Sequence, residues 1–294
     1  MCKEGVGLMI ILNGKEVEFS TFPNGETLFK KDGLKKQPYN MISFKYENDS
    51  DLIKLMFLKN YLDNYSIRNN LTIYYMPYSR MDRSEDGSPF TLKYVANFIN
   101  NLKFDYVEVI EPHSDVTCAV LDRSGARMVN YKLFDMVMEE VGFNPQEDYI
   151  VYPDAGAQKR YKFNLFPNIL VGHKERDFAT GHIKQLEIVG EKDKEGGKAI
   201  IVDDLSSKGG TFVLTAEVLK VIRKFDEVYL LVAHAEDSIF QGTLFTSTYQ
   251  DKPLIDKVFT TNTILDSKWS HDWSRAKYGD KLKVYDIEEV LSNN

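Results

Sequence analysis

The chain has 294 residues, with 37 lysines and arginines against 44 aspartates and glutamates, a net charge of −7 and a pI near 5.4. That balance argues against a nucleic-acid partner, which calls for a basic face to neutralise phosphates, and no run of about 18 apolar residues is available to span a membrane. Two cysteines, Cys2 and Cys118, are too few for a disulfide framework or a thiolate metal cage. With no basic-then-apolar leader at the N-terminus, the expectation is a cytoplasmic setting with both thiols reduced.

In chain order, residues 51–61 space apolar side chains three and four apart, as a helix covering a sheet does, and 71–75 read as a strand. A helix over 89–102 and a strand over 106–110 follow, then a helix over 131–141. Strands over 149–152, 169–171 and 199–202, a helix over 211–225 and a strand over 228–232 complete the series. Short apolar strands alternating with helices predict an α/β fold with mostly parallel sheets. At roughly 150 residues per domain the length suits two compact units. The expected domains are 1–138 and 139–280, with the tail 281–294 returning to pack on the first.

The most informative stretch is Ala199-Ile-Ile-Val-Asp-Asp-Leu-Ser-Ser-Lys-Gly-Gly-Thr-Phe212, an apolar strand that ends in two acids and passes through paired glycines into a helix. Backbone N–H groups freed at such a turn, together with the helix dipole, make an anion cradle. Carboxylates beside a phosphate site suit ribose hydroxyls or a hydrated magnesium ion. The element therefore reads as a holder for a ribose 5-phosphate unit, with a plain strand-to-helix turn as the alternative.

Other stretches are weaker alone. Arg80 and Arg83 in Met76-Pro-Tyr-Ser-Arg-Met-Asp-Arg83 could grip a nucleotide's phosphates, or form surface salt bridges. Phe22-Pro-Asn-Gly-Glu26 could stack on a purine, or be a simple hairpin turn. In Glu111-Pro-His-Ser114, His113 follows a strand at the carboxyl edge where α/β sheets bind ligands; a surface histidine is the alternative. Asp154 in Tyr152-Pro-Asp-Ala-Gly156 is a candidate acid or a helix N-cap. His173-Lys-Glu-Arg176 opens a stretch without helical pattern, which suits a mobile loop closing two cations over a polyphosphate.

Taken together and in this order, over roughly residues 20–265, these stretches resemble the phosphoribosyl pyrophosphate (PRPP) synthetase family. The acid pair and glycines match its Asp-Asp-Xaa-Xaa-Asp-Thr-Gly-Gly-Thr signature, shared with phosphoribosyltransferases, at Asp203, Asp204, Gly209, Gly210 and Thr211, while Ser207 and Lys208 stand in place of Asp-Thr. The 22–26 stretch resembles the family's Phe-Ser-Asp-Gly-Glu loop, and 48–53 resembles its Asn-Asp-Asn-Leu-Met helix start, a capping feature. Residues 78–83 resemble its Tyr-Ala-Arg-Gln-Asp-Arg loop with Met81 for glutamine, and 111–114 its Asp-Leu-His-Ser motif with Glu111 for aspartate. Residues 233–242 and 260–264 resemble its Thr-His-Xaa-Ile-Phe-Ser-Gly and Thr-Asn-Thr-Ile segments.

The resemblance implies two phosphoribosyltransferase-like (Rossmann-like) domains and a diphosphokinase that moves the β,γ-pyrophosphate of Mg-ATP onto a ribose anomeric hydroxyl. It implies ATP contacts at Phe22, Asn24, Glu26, Arg80, Asp82 and Arg83, and Mg2+ at His113 and Asp154. Lys174, Arg176 and His113 become catalytic, with Asp203, Asp204 and Ser207, Lys208, Gly209, Gly210 and Thr211 on the ribose phosphate. Because the 22–26 loop of the family reaches ATP in a neighbouring subunit, a homo-oligomer is implied too. The chain also resembles divergent viral-type members, some of which act on ADP-ribose, so the acceptor is either ribose 5-phosphate or ADP-ribose. A phosphoribosyltransferase and a catalytically silent synthetase-associated subunit are the alternatives.

Overall fold

The computed structural model describes residues 10–65, 68–85, 87–163, 166–176, 183–192, 195–265 and 278–292, with the side chains of 174–176 and 183–185 outside that description. The chain divides into two compact units after Met128. Each is an α/β layer structure with its own core.

The first unit is built on a six-stranded sheet with the order β2-β1-β5-β6-β7-β8. Its strands are β1 (Ile10–Leu12), β2 (Lys15–Glu16), β5 (Tyr39–Phe44), β6 (Arg68–Ile73), β7 (Tyr106–Ile110) and β8 (Ser124–Arg127). β5 through β8 pair in parallel, and β1 is antiparallel to both β2 and β5. A separate two-stranded flap joins β3 (Phe19–Thr21) to β4 (Thr27–Phe29). The helix α1 (Ser50–Asp63) buries Leu55, Leu58 and Leu62, spaced three and four apart, and α2 (Thr91–Asn101) buries Leu92, Ala96 and Ile99 in the same rhythm. A short α3 (Val116–Val120) follows β7.

The second unit carries α4 (Asn130–Val141), β9 (Tyr149–Tyr152), α5 (Ala155–Arg160), β10 (Ile169–Arg176), β11 (Ile183–Val189), β12 (Lys198–Ser206) and α6 (Gly210–Glu217). A π-helical turn, Val218–Ile222, extends α6, and β13 (Glu227–Ala235), the hairpin β14 (Thr248–Tyr249) and β15 (Lys252–Pro253), β16 (Lys257–Thr261), β17 (Leu282–Tyr285) and α7 (Ile287–Ser292) complete it. Its seven-stranded sheet runs β11-β10-β9-β12-β13-β16-β17, parallel throughout except for β10 with β11. Ala199 to Val202 on β12 are all fully buried, as the Ala-Ile-Ile-Val run of a strand covered on both faces requires. From β9 the chain passes to β10 on one side and later to β12 on the other, so the strand order reverses between β9 and β12. In open α/β sheets that reversal is where ligands bind, beyond the strands' carboxyl ends.

Two boundary expectations are corrected. The division falls at 128 rather than 138, because α4 belongs wholly to the second unit. There Asn130 Nδ2 donates to the Asp203 carbonyl at 2.7 Å, and Phe134 packs on Phe163 with ring centroids 4.5 Å apart. The tail does not return to the first unit: β17 pairs in parallel with β16 as the edge strand of the second sheet, and Lys132 Nζ donates to the Val290 carbonyl at 2.6 Å.

Candidate functional site

In the second unit, Asp203 and Asp204 occupy the carboxyl end of β12, and Asp154 follows the carboxyl end of β9. Both strand ends flank the reversal in strand order. The strand expected to stop at 202 continues to Ser206, because its pairing with β13 runs on to Ser206 opposite Ala235. The two acids are thus fixed by a sheet ladder rather than carried on a loop.

Arg160, the last residue of α5, donates from Nη1 to Asp203 Oδ1 at 3.1 Å and to Asp204 Oδ1 at 2.6 Å. The three side chains are 15%, 15% and 6% exposed, which places this ion triad in a poorly screened setting. Burial, then the charge of Asp204, pushes the Asp203 carboxyl well above the usual carboxylate range; Asp154 adds to the rise and Arg160 opposes it. Burial works against the Arg160 cation, but Asp204, Tyr161 and Asp203 outweigh it and raise its pKa. Asp154 itself accepts from the Ala157 N–H at 3.0 Å and caps α5. The structural reading of that acid holds, and the cap also keeps it beside the pair.

Ser207, Lys208 and Gly209 form the turn between β12 and α6. Gly209 has φ +77°, and a Cβ there would lie 2.7 Å from Leu244 Cδ1, so the turn needs glycine on both counts. A Cβ on Gly210, by contrast, would meet nothing within 4 Å. Where the sequence reading expects a cradle, the first residue of an eight-residue helix borders open space, with Lys208 exposed and Thr211 half-buried beside it. The segment after β13 walls it: Glu236 N–H donates to the Ser206 carbonyl at 2.9 Å, Ser207 Oγ lies 2.9 Å from Ser238 Oγ, and Ser238 Oγ donates to Glu236 Oε2 at 2.9 Å. Gly242 completes the wall, since a Cβ there would stand 2.0 Å from the Lys208 carbonyl oxygen. His234 is buried, with Nδ1 2.8 Å from Thr263 Oγ1, so the 233–242 and 260–264 stretches meet inside the fold.

Lys174 and Arg176 lie on the backbone of β10, antiparallel to β11. The first part of the loop expected after His173 is strand as far as Arg176, and its remainder, 177–182, lies outside the described residues. The β-branched and apolar alternation of Ile183-Lys-Gln-Leu-Glu-Ile-Val189 accounts for the second strand.

In the first unit, Arg80, Asp82 and Arg83 lie in the loop before α2, and His113 lies just past β7. Ser114 Oγ donates to Asp82 Oδ2 at 2.6 Å, which joins the two segments. Burial alone would raise the Asp82 carboxyl, but hydrogen bonds from Ser114 and Arg83 and the charges of Arg83 and His113 hold it below the usual range. Arg83 also reaches Glu85 at 3.4 Å, so the surface-pair reading applies to it. Arg80, Met81, Arg83, Glu85, Ser88 and Pro89 line a cavity of about 360 Å3. The loop is anchored by Tyr78, whose φ is +62° and whose hydroxyl donates to Asp49 Oδ1 at 2.7 Å. Asp49, at the N-cap of α1, makes no side-chain cap bond; Asp51 instead accepts from the N–H groups of Glu47 and Asn48. Phe22, Asn24 and Glu26 form the tip of the β3–β4 flap, where the Phe22 N–H donates to the Glu26 carbonyl at 2.8 Å and Phe22 is 46% exposed.

Sequence reasoning missed Arg160, Glu236 and Ser238. Arg160 carried a signal: a cation at the end of the helix that Asp154 opens. Glu236 and Ser238 lie in the 233–242 stretch singled out by resemblance, but only the pairing of β12 with β13 brings them to the turn.

Among the described residues no group of three or more His, Cys, Asp or Glu side chains is placed to hold a metal ion. Magnesium takes most of its ligands from water and substrate phosphates, with one or two carboxylates from protein, and Asp154 suits that donor set.

No protein-family model matches the chain. It is 26% identical over 263 residues to ribose-phosphate pyrophosphokinase of Sulfurisphaera tokodaii, covering 85% of this chain and 84% of that protein. It is 25% identical over 285 residues to the enzyme of the same name from Mycoplasmopsis pulmonis, covering 94% and 83%. Its fold is that of phosphoribosylpyrophosphate synthetase from Mycobacterium smegmatis, with a TM-score of 0.73 at 19% identity over 94% of this chain and 88% of that one.

Proposed function

We propose that this chain, a member of the PRPP synthetase (ribose-phosphate pyrophosphokinase) family, transfers the β,γ-pyrophosphate of Mg-ATP to the anomeric hydroxyl of a ribose 5-phosphate unit and releases AMP. The observation that carries the reading is the end of β12, where two fixed acids lead directly into a glycine turn with open space at Gly210.

The acids Asp203 and Asp204 accept hydrogen bonds from the ribose hydroxyls, and the turn from Ser207 to Thr211 receives the 5-phosphate. Arg160 lies across both acids, so sugar binding must displace it or share the carboxylate oxygens with it. The C1 oxygen attacks the β-phosphorus in line, the bond from that phosphorus to the α,β-bridging oxygen breaks with that oxygen leaving on AMP, and the hydroxyl proton passes to solvent. Such a reaction asks for positioning and for neutralisation of equatorial oxygen charge. Lys174 and Arg176 supply that neutralisation. Asp154 in the second unit and His113 in the first are the residues that would hold magnesium brought with ATP, which would supply charge neutralisation on the polyphosphate. Arg80, Asp82 and Arg83 hold the nucleotide phosphates, and Phe22, Asn24 and Glu26 contact adenine across a homo-oligomer interface. The setting is cytoplasmic; among the described residues no helix is long and apolar enough to cross a membrane.

Both ribose 5-phosphate and ADP-ribose contain the required unit. In place of the family's Asp-Thr, Ser207-Lys208 removes an acid and adds a cation at the turn, which bears on the charge of the phosphate it accepts. Incubation with Mg-ATP and each acceptor in turn, with AMP as the readout, tests the proposal. AMP release that requires one of them supports it; AMP release with neither contradicts it.

A further inference from the structure

Lys174 and Arg176 sit on the least supported part of the second sheet. β10 pairs with β9 only from Ile169 to Val171, and from Gly172 to Arg176 the described ladder is with β11 alone, itself the edge strand. The backbone positions of the two cations therefore follow β11, and Lys174 stands opposite Leu186 in that ladder. Gly172 brings this part of β10 against the segment that carries Asp154, since a Cβ there would lie 2.4 Å from the Pro153 carbonyl oxygen. Arg223 holds the end of β11: its Nη2 donates to the Ile188 carbonyl at 2.5 Å and to the Gly190 carbonyl at 3.0 Å. Both bonds go to neutral carbonyls, so the tie is one of position rather than of charge. Lys192, Asp226 and Glu195 are the charged neighbours of this corner.

The helix that leads to Arg223 is the one that starts at the phosphate turn. α6 and its extension bury Phe212, Ala216 and Leu219 in helical rhythm, which would turn positions 222 and 223 inward as well. The π-helical turn breaks that rhythm. The Arg223 N–H donates five residues back to the Val218 carbonyl at 3.0 Å, and Ile222 is left 68% exposed. An isoleucine loses its burial there, while a guanidinium reaches two carbonyls of β11. We infer that Arg223, placed by the π-helical turn, is a positioning residue that fixes the β10–β11 hairpin, and with it Lys174 and Arg176, to the helix that opens at the phosphate turn. This rests on the proposed transition-state role of those two cations. Without the anchor the edge strand is free to shift, and a misplacement of about 1 Å costs on the order of 100-fold in rate.

The test compares Arg223→Met, Arg223→Lys and Lys220→Met in the full chain. Lys220 lies on the same π-helical turn but donates to the Asp226 carbonyl at 2.6 Å and to Asp256 Oδ2 at 2.7 Å, so its loss weakens the turn without releasing β11. AMP release gives kcat and the KM values for ATP and acceptor, and hydrogen exchange of the β11 amides reads the anchor without turnover. The expected result for Arg223→Met is kcat lower by about tenfold or more, both KM values within about threefold of wild type, and faster β11 exchange. Arg223→Lys, with one nitrogen for two carbonyls, should lie between, at about threefold lower kcat, and Lys220→Met should keep kcat within about twofold. Unchanged kcat in Arg223→Met, or an equal fall in Lys220→Met, overturns the inference. Unaltered β11 exchange in Arg223→Met overturns the anchor whether or not AMP is released, whereas a wild type that releases no AMP overturns the proposed reaction. If Arg223→Met fails to fold, as judged by thermal melting, Arg223→Lys decides: lowered kcat with both KM values kept supports the inference, and unchanged kcat overturns it.

Discussion

Arg160→Met removes the cation that bridges Asp203 and Asp204 while keeping a long apolar stem. Two carboxylates whose side chains are 15% and 6% exposed then face each other with no guanidinium at 3.1 and 2.6 Å. Removing one partner of a buried ion pair costs about 3–5 kcal/mol, and the residual exposure places this case near the lower end, about 3 kcal/mol. For a unit of this size each kcal/mol is about 2–4 °C, so the second unit should melt roughly 6–12 °C lower. The loss should depend on pH in one direction. Because the Asp203 carboxyl lies above its unfolded value, the folded state binds the extra proton, and stability falls as pH rises through that raised value. Without Arg160 the value rises further, so the difference between variant and wild type should be large at pH 8 and shrink toward pH 5. Differential scanning fluorimetry at the two pH values reads both effects, and adding Asp203→Asn to the variant should recover part of the loss. A melting temperature unchanged at pH 8, or a loss equal at pH 5 and pH 8, would refute the argument that Arg160 offsets the repulsion between the two acids.

Gly210→Ala should leave melting within about 2 °C, since its Cβ enters open space, yet raise acceptor KM at least tenfold by filling the cradle; unchanged KM would remove Gly210 from the site. Gly242→Ala should lower both melting and acceptor affinity, because its Cβ would stand 2.0 Å from the Lys208 carbonyl oxygen, and retention of both would show that the wall yields freely. Lys174→Ala with Arg176→Ala should reduce kcat by about 100-fold or more with little change in ATP binding; equal loss of both would contradict a role confined to transition-state charge. Asp82→Ala should destabilise the first unit by about 1–3 kcal/mol in chemical denaturation at pH 7, by removing the acceptor of the Ser114 hydroxyl. Since the Asp82 carboxyl lies below its unfolded value, its stabilisation is present above that unfolded value and lost as pH falls through the folded one, so the variant and wild type should converge in acid.

The α/β class was legible in the sequence because helical spacing and apolar runs are local signals. Leu55, Leu58 and Leu62, or Ala199 to Val202, declare their burial by pattern alone. The edges were not legible for the same reason. β12 and β13 run past their apolar stretches because they pair with each other, and β17 joins the second sheet through a partner more than twenty residues away. At the candidate site, the acids and glycines of β12 and its turn are the part the sequence singles out. Arg160 and Glu236 reach the same place only through strand order, which puts α5 and the end of β13 on either side of β12. Strand character at residues 183–189 is legible as alternation in the sequence, whereas the extension of β10 to Arg176 follows only from its pairing with β11.

The central claim is that two phosphates move together from ATP to the anomeric oxygen of a sugar. Phosphorus NMR of a reaction started with ATP labelled by oxygen-18 at the α,β-bridge measures this directly. The account predicts that the label stays wholly with AMP and that a new diphosphate appears on C1 of the acceptor, one for each AMP formed. Formation of ADP, or label retained in the transferred pyrophosphate, would contradict it.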